Sequence, residues 1–293
     1  AQNRIPLIQS ISIRNQTIGT LEGCTCRIFS EESFVAEKKI RLRPIESGKG
    51  TVLASAELLL EPNLEFLKGL QDAAKGSVSV VIAKGEDVIF EKRYVIDALP
   101  ANQAHDIWKN PVLIAAFVKP NCASVRNFQS YVSEALNEIS GSSAIDMYQQ
   151  GSPDACKKRS LDACAAIYAA LQKAQVIRYS NPMATADGAC QQIRLPDEIF
   201  KQHLATCLDS ALLFASLMES CGLRPVVFLI NGHAFVGCHL VERFLPSVEM
   251  RDPQVIRRLI TNGEFVVIET TMVGTASTFA EAEKALKAFE AKA

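Results

Sequence analysis

The sequence predicts an α+β protein in two parts, an N-terminal β-sandwich and a C-terminal domain of helices packed on an antiparallel sheet. Three observations lead there. Short apolar runs alternate with period two from Leu7 to about Ala98, helical runs begin after Pro100, and from Leu204 an almost wholly apolar helix precedes three strand-like segments. A chain of 293 residues with 48% apolar content is long enough to bury a core in each part.

In the first part the runs LIQSISIRN, LEGCTCRIF, EKKIRLRPI, TVLASAELLL, SVSVVIAKG and DVIFEKRYVI are separated by Gly, Asn, Pro and Ser. Alternation at that spacing predicts six or seven strands of an immunoglobulin-like sandwich over residues 1–100, with PNLEFLKGLQDAA as a short helix or loop between strands. SGKGT around Gly48 and Gly50 lacks the earlier glycine of a phosphate loop and predicts a turn. After Pro100 come PVLIAAFV, SVRNFQSYVSEALNEI and PDACKKRSLDACAAIYAALQKA, split by Pro-Asn and Gly-Ser breaks. Residues 101–154 are expected to be a helical linker with the single tryptophan, Trp108, at its junction. Residues 155–293 are expected to be the second domain. There LDSALLFASLMESC predicts a buried helix closed at Gly222, then strands PVVFLI and HAFVGCHL about an Asn231-Gly232 turn, a short helix from Pro253 and a last strand, EFVVIET.

Charges nearly cancel, 31 basic against 32 acidic residues, so no bulk field recommends nucleic acid or a membrane surface as a partner. No apolar run reaches the ~20 residues that span a bilayer, and AQNRIPLIQS lacks the basic and apolar regions of a secretory leader. A cytoplasmic protein is expected. A start without Met and the helix-like end FAEAEKALKAFEAKA fit one piece of a longer protein. Nine scattered cysteines, an odd number with no CxxC pair, suit a reducing compartment, most of them as core residues. Cys24 and Cys26 flank one Thr on a strand with no His near them in sequence, so no metal and no cofactor is expected.

The residues that could carry chemistry lie in the second half. Thr206 is a good N-cap and Asp209 stands three residues later, which puts Cys207 in the first turn of a helix. Unpaired N–H groups and partial positive charge there favour thiolate. His233 opens a strand after the Asn-Gly turn, and Glu269 ends an apolar strand from which it could accept from one imidazole nitrogen and leave the other free as a base. His239 shares the strand face of His233 but lies ~20 Å along it, and His105 and His203 have no strand context. By themselves these positions also fit a small core thiol, a satisfied structural histidine and a strand-end glutamate.

The run TCLDSALLFASLMESCGLRP, then GHAFVG, then VIETT, resembles the Cys, His and acidic blocks of the transglutaminase-like superfamily of papain-like cysteine proteases and transferases. AAFVKPN, MYQQGSPD and QQIRLPDEIF extend the likeness to a module at the N-terminus of large bacterial superfamily-one DNA-helicase-like proteins. The resemblance runs from about residue 8 to 280 and is most specific in the second half. It implies Cys207 as nucleophile, His233 as base and Glu269 in a position where the superfamily more often has Asp. It also implies Gln191 as an oxyanion donor, a role that competes with a structural loop hydrogen bond. Cys190 and Ala205 stand where the module has Gly. The implied activity is amide hydrolysis or acyl transfer on a protein or peptide substrate, with fused or associated helicase-like domains. The competing function is an interaction module that keeps these residues without turnover.

Overall fold

The computed structural model describes residues 7–32, 34–107, 109–182, 190–245 and 247–290. Trp108, expected at the domain junction, lies outside them. The protein is of mixed α and β structure, and the chain divides between Ala101 and Asn102 into two compact units.

The first unit contains β1 (Ser10–Arg14), β2 (Cys24–Ser30), β3 (Lys38–Arg41), β4 (Gly50–Ala54), α1 (Ser55–Leu58), α2 (Leu64–Gly69), β5 (Ala74–Lys84) and β6 (Asp87–Ala98). These form a four-stranded antiparallel sheet, β3-β2-β5-β6, and a two-stranded one, β1-β4. Strict alternation on β2 sends Cys24, Cys26 and Ile28 into an apolar cluster with Val78, Val80 and Ile82 of β5. Both cysteines are free thiols, and burial pushes Cys26 up to about 11. The run TVLASAELLL is a strand only as far as Ala54. The Glu57 carboxylate accepts from the Ala54 N–H and starts a helical turn through Ser55–Leu58, whose Ala, Glu and Leu favour helix. Gly48, at φ +73, forms the turn expected of SGKGT.

The second unit runs through β7 (Gln103–His105), a 3₁₀ helix (Pro111–Phe117), α3 (Ala123–Ser140), α4 (Pro153–Lys173), β8 (Arg178–Tyr179), β9 (Cys190–Gln192), α5 (Pro196–Gln202) and β10 (Leu204–Ala205). It continues with α6 (Cys207–Ser220), β11 (Arg224–Ile230), β12 (His233–His239), α7 (Pro253–Thr261), β13 (Phe265–Ile268), a 3₁₀ helix (Thr270–Gly274) and α8 (Phe279–Glu290). The described residues from Asn102 to Asp154 belong to this unit rather than to a separate linker. Val125, Phe128, Val132 and Leu136 of α3 are buried in one cluster with Leu213, Phe214 and Leu217 of α6. A helix with so complete an apolar stripe must bury it, and α4 and α6 supply the surface.

Helix α6 is the centre. Every residue from Cys207 to Met218 is buried. Strands β11, β12 and β13 form an antiparallel sheet with β12 in the middle. Along β12, Ala234, Val236 and Cys238 join the clusters that contain α6, while Phe235 joins Ile256 and Leu259 of α7 on the other face. Period-two alternation thus serves two layers at once.

Gly237 in the middle of β12 makes that second layer fit. A Cβ there would lie 2.7 Å from Phe265 Cζ and 2.8 Å from the Val266 carbonyl oxygen. The Phe265 ring is fixed edge-on against His239, at 4.9 Å, and against Phe228, at 6.0 Å, so it cannot swing clear cheaply. Gly237→Ala is therefore expected to cost about 1–3 kcal/mol through overpacking. Equilibrium urea unfolding reads this, and an unchanged midpoint would show that the Phe265 ring gives way freely.

Candidate active site

Cys207 is the first residue of α6, and Thr206 is its cap. The Thr206 hydroxyl accepts from the Asp209 N–H at 3.1 Å, and Asp209 Oδ2 accepts from the Thr206 N–H at 2.9 Å. This reciprocal pair is the arrangement that the TCLD sequence predicts. Asp209 is wholly buried and does more than cap. Its Oδ1 accepts from the Arg194 N–H at 2.9 Å and its Oδ2 lies 3.3 Å from Arg194 Nη1. Arg194, itself buried, also donates from Nε to Gln202 Oε1 at 3.3 Å. The ion pair ties the chain that follows β9 to the first turn of the Cys207 helix.

Gln191 sits in β9, directly opposite Ala104 of β7. Opposed residues of an antiparallel pair share a face, and Ile193 follows two residues on. Ala104 and Ile193 pack in the same apolar cluster as Cys207, Leu208 and Ala234, so Gln191 lies on the Cys207 side of the β7-β9 ribbon.

His233 flanks a two-residue turn, with Gly232 at φ +74, and pairs with Ile230 of β11. Residues flanking such a turn bond to each other, so the next amide, Ala234, points to the opposite edge of β12. Pairing with β13 begins only at Val236 opposite Ile268, which leaves that amide free of the ladder. The Cys207 sulfur lies near the N–H groups of Ala234, Leu208 and Cys207 itself.

His233 Nε2 donates to Glu269 Oε2 at 2.7 Å. Glu269 is buried at the end of β13 and caps the following 3₁₀ helix, its Oε1 accepting from the Thr271 N–H at 3.1 Å and the Thr271 hydroxyl at 2.6 Å. The carboxylate is held at both oxygens. In a neutral imidazole that donates from Nε2, Nδ1 carries the lone pair. The structure therefore brings His233 and Glu269 into direct contact and leaves the Cys207 sulfur near the Ala234 amide, with no Cys207–His233 hydrogen bond among the described residues.

The ionisation of the thiol differs from the thiolate expected of a helix start. Burial pushes the Cys207 pKa above its ordinary value and the nearby Glu269 charge pushes the same way, while the three backbone N–H groups oppose both. Desolvation outweighs the helix terminus because the first turn lies inside the domain.

His239 is buried, with neither ring nitrogen hydrogen-bonded to a protein group. Burial lowers its pKa. His105 ends β7, a strand its sequence context did not announce, beside Asp106 at 3.5 Å. His203 closes α5 at φ +56, its Nδ1 3.2 Å from the Gln175 carbonyl oxygen. Two surface cavities, of about 440 and 520 Å³, are lined by other residues than Cys207, His233, Glu269 and Gln191. Among the described residues no His, Cys, Asp and Glu cluster could hold a metal ion, and no helix is long and apolar enough to cross a membrane.

Two supporting residues escaped the sequence reading. Thr271 lay in the quoted VIETT run, where a hydroxyl residue two after a glutamate is the available signal for a side-chain cap. Arg194 lay in QQIRLPDEIF, a cation between apolar neighbours whose partner is fifteen residues away. Comparison with protein-family models, with curated proteins and with solved structures returned no match.

Proposed function

We propose that the protein is a transglutaminase-like (papain-like) cysteine hydrolase that attacks an amide or thioester-like acyl group through Cys207. The observation that carries the reading is the His233–Glu269 hydrogen bond at 2.7 Å, which in a neutral imidazole leaves Nδ1 bare. In this reading the first unit is an immunoglobulin-like β-sandwich and the second a transglutaminase-like domain. In this reading the imidazole has to reach the sulfur past the part of β12 that β13 leaves unpaired.

Nδ1 takes the thiol proton as the sulfur attacks the acyl carbon. A pre-formed ion pair is not required, which suits a thiol whose pKa burial has raised. The oxyanion of the tetrahedral adduct is met by N–H groups of the α6 start and the Gln191 side-chain amide. The adduct collapses, the C–N bond breaks, and the imidazolium returns its proton to the leaving amine. Water, activated by the same nitrogen, then cleaves the thioester and regenerates the thiol. The substrate class is protein or peptide, and placement within a larger bacterial helicase-like protein rests on the sequence resemblance alone. Hydrolysis is preferred over transfer because water is always available.

One feature favours the second reading, a catalytically silent interaction module: burial pushes the Cys207 pKa up. Reactivity separates the two. The protein is treated with a limiting thiol alkylator at neutral pH and the label is mapped over all nine cysteines, in wild type and His233→Ala. A working base gives Cys207 the largest share of label in wild type and a severalfold smaller one in the variant. Slow labelling of Cys207, unchanged by His233→Ala, would establish the silent module.

A further inference from the structure

Strand β6 is the free edge of the four-stranded sheet, paired on one side with β5 and on the other with nothing among the described residues. An open edge is a row of unpaired N–H and C=O groups, which proteins ordinarily shorten, cover or fill with charge. Here it is long, twelve residues, and carries exposed apolar side chains along it, including Phe90 at 51%, Tyr94 at 47% and Val95 at 77%. A surface of this kind is ordinarily covered by a partner.

The sequence of the edge says what covers it. Read outward from Lys92 in both directions, Asp87 to Asp97 is a near-palindrome of side-chain type. Glu91 mirrors Arg93, Phe90 mirrors Tyr94, Ile89 mirrors Val95 and Val88 mirrors Ile96. Two such strands laid antiparallel about a two-fold axis at Lys92 place each residue opposite its mirror. We propose that β6 pairs edge to edge with β6 of a second copy of this chain, joining two four-stranded sheets into one of eight. The interface is isologous, so each favourable pair occurs twice.

The side chains fall consistently on the two faces. Lys92 lies opposite Val80 and Glu91 opposite Val81, so Phe90, Lys92 and Tyr94 share one face and Glu91 and Arg93 the other. On the first face an aromatic ring of each copy meets one of the other. On the second, Glu91 of each copy meets Arg93 of the other, and Arg93 already lies against Glu31 of its own copy at 2.7 Å. Such cross-strand pairs are the unit of sheet stabilisation. Two features keep the association modest. The Lys92 side chains meet on the axis as like charges, eased by the long stems and by the ammonium lying over the Tyr94 ring at 4.9 Å. A bulge at Ile89 also ends the regular ladder on that side, so pairing is tightest from Phe90 to Tyr94.

The charge pair supplies the test. Sedimentation of the full chain over a range of concentrations reads the dimer for wild type, Glu91→Arg and the double variant Glu91→Arg/Arg93→Glu, with circular dichroism confirming that each folds. Glu91→Arg turns both ion pairs into repulsions and should weaken dimerisation about tenfold or more. The double variant restores two opposite-charge pairs in reversed sense and should recover it. A wild-type protein monomeric at every concentration would overturn the proposal and leave the edge to a different partner. So would a dimer indifferent to Glu91→Arg, or one that the double variant fails to restore.

Discussion

Glu269→Gln is expected to lower turnover and Cys207 reactivity more than Glu269→Ala does. The reason is the second oxygen of the carboxylate. Oε1 accepts from the Thr271 N–H, a donor that cannot rotate away, so a glutamine must keep its carbonyl oxygen there and turn its amide NH₂ towards His233. Nε2 then has to accept, the ring proton moves to Nδ1, and the base presents an N–H to the thiol instead of a lone pair. Alanine leaves the imidazole free to choose its tautomer. The expected loss with glutamine is roughly 10²–10⁴-fold, the usual worth of a positioned base. Alkylation of Cys207 against pH in the three proteins provides the measurement, and a glutamine variant as reactive as wild type would remove Glu269 from the proposed machinery.

The second large effect is on stability. Asp209→Ala removes the acceptor for two backbone N–H groups and leaves the Arg194 guanidinium buried without its charge partner. Breaking one side of a buried ion pair costs about 3–5 kcal/mol, more than the pair contributes relative to apolar residues of the same shape, because the remaining charge has no solvent. For a unit of this size that is a fall of roughly 10 °C in melting temperature. Helical circular dichroism follows it directly, since α3, α4 and α6 all belong to the second unit. Thr206→Ala loses only the cap and should cost about 1 kcal/mol. A melting point shifted no further by Asp209→Ala than by Thr206→Ala would mean that Arg194 finds another partner or reaches water.

Much of this was legible along the chain because the signals are local. The capping pair of Thr206 and Asp209, the apolar run of α6, the Asn231-Gly232 turn and the alternation of β12 each concern residues within a few positions of one another. Local sterics and hydrogen bonding decide such features before any long-range packing. The strand-end position of Glu269 likewise put it within reach of His233, and the two are hydrogen-bonded. Such reasoning failed where a local pattern was ambiguous. TVLASAELLL alternates like a strand yet turns helical at Ser55, because a single Glu57–Ala54 hydrogen bond closes the turn. The breaks around α3 read as linker boundaries, although its apolar stripe belongs to the core.

The sequence by itself thus determined the mixed α and β character and the run from the α6 start through β11, β12, α7 and β13, because those depend on period, caps and turns. Only the tertiary structure decided which way the thiol pKa moves, since burial of the α6 start depends on everything packed around it and outweighs the helix terminus that sequence shows. It also decided the Arg194–Asp209 pair and the second hold on Glu269, contacts that the chain makes only once β9, α6 and β13 are in place. A side chain's chemical type is a local property, whereas its charge state and its partners are set by the dielectric and the donors that folding brings to it.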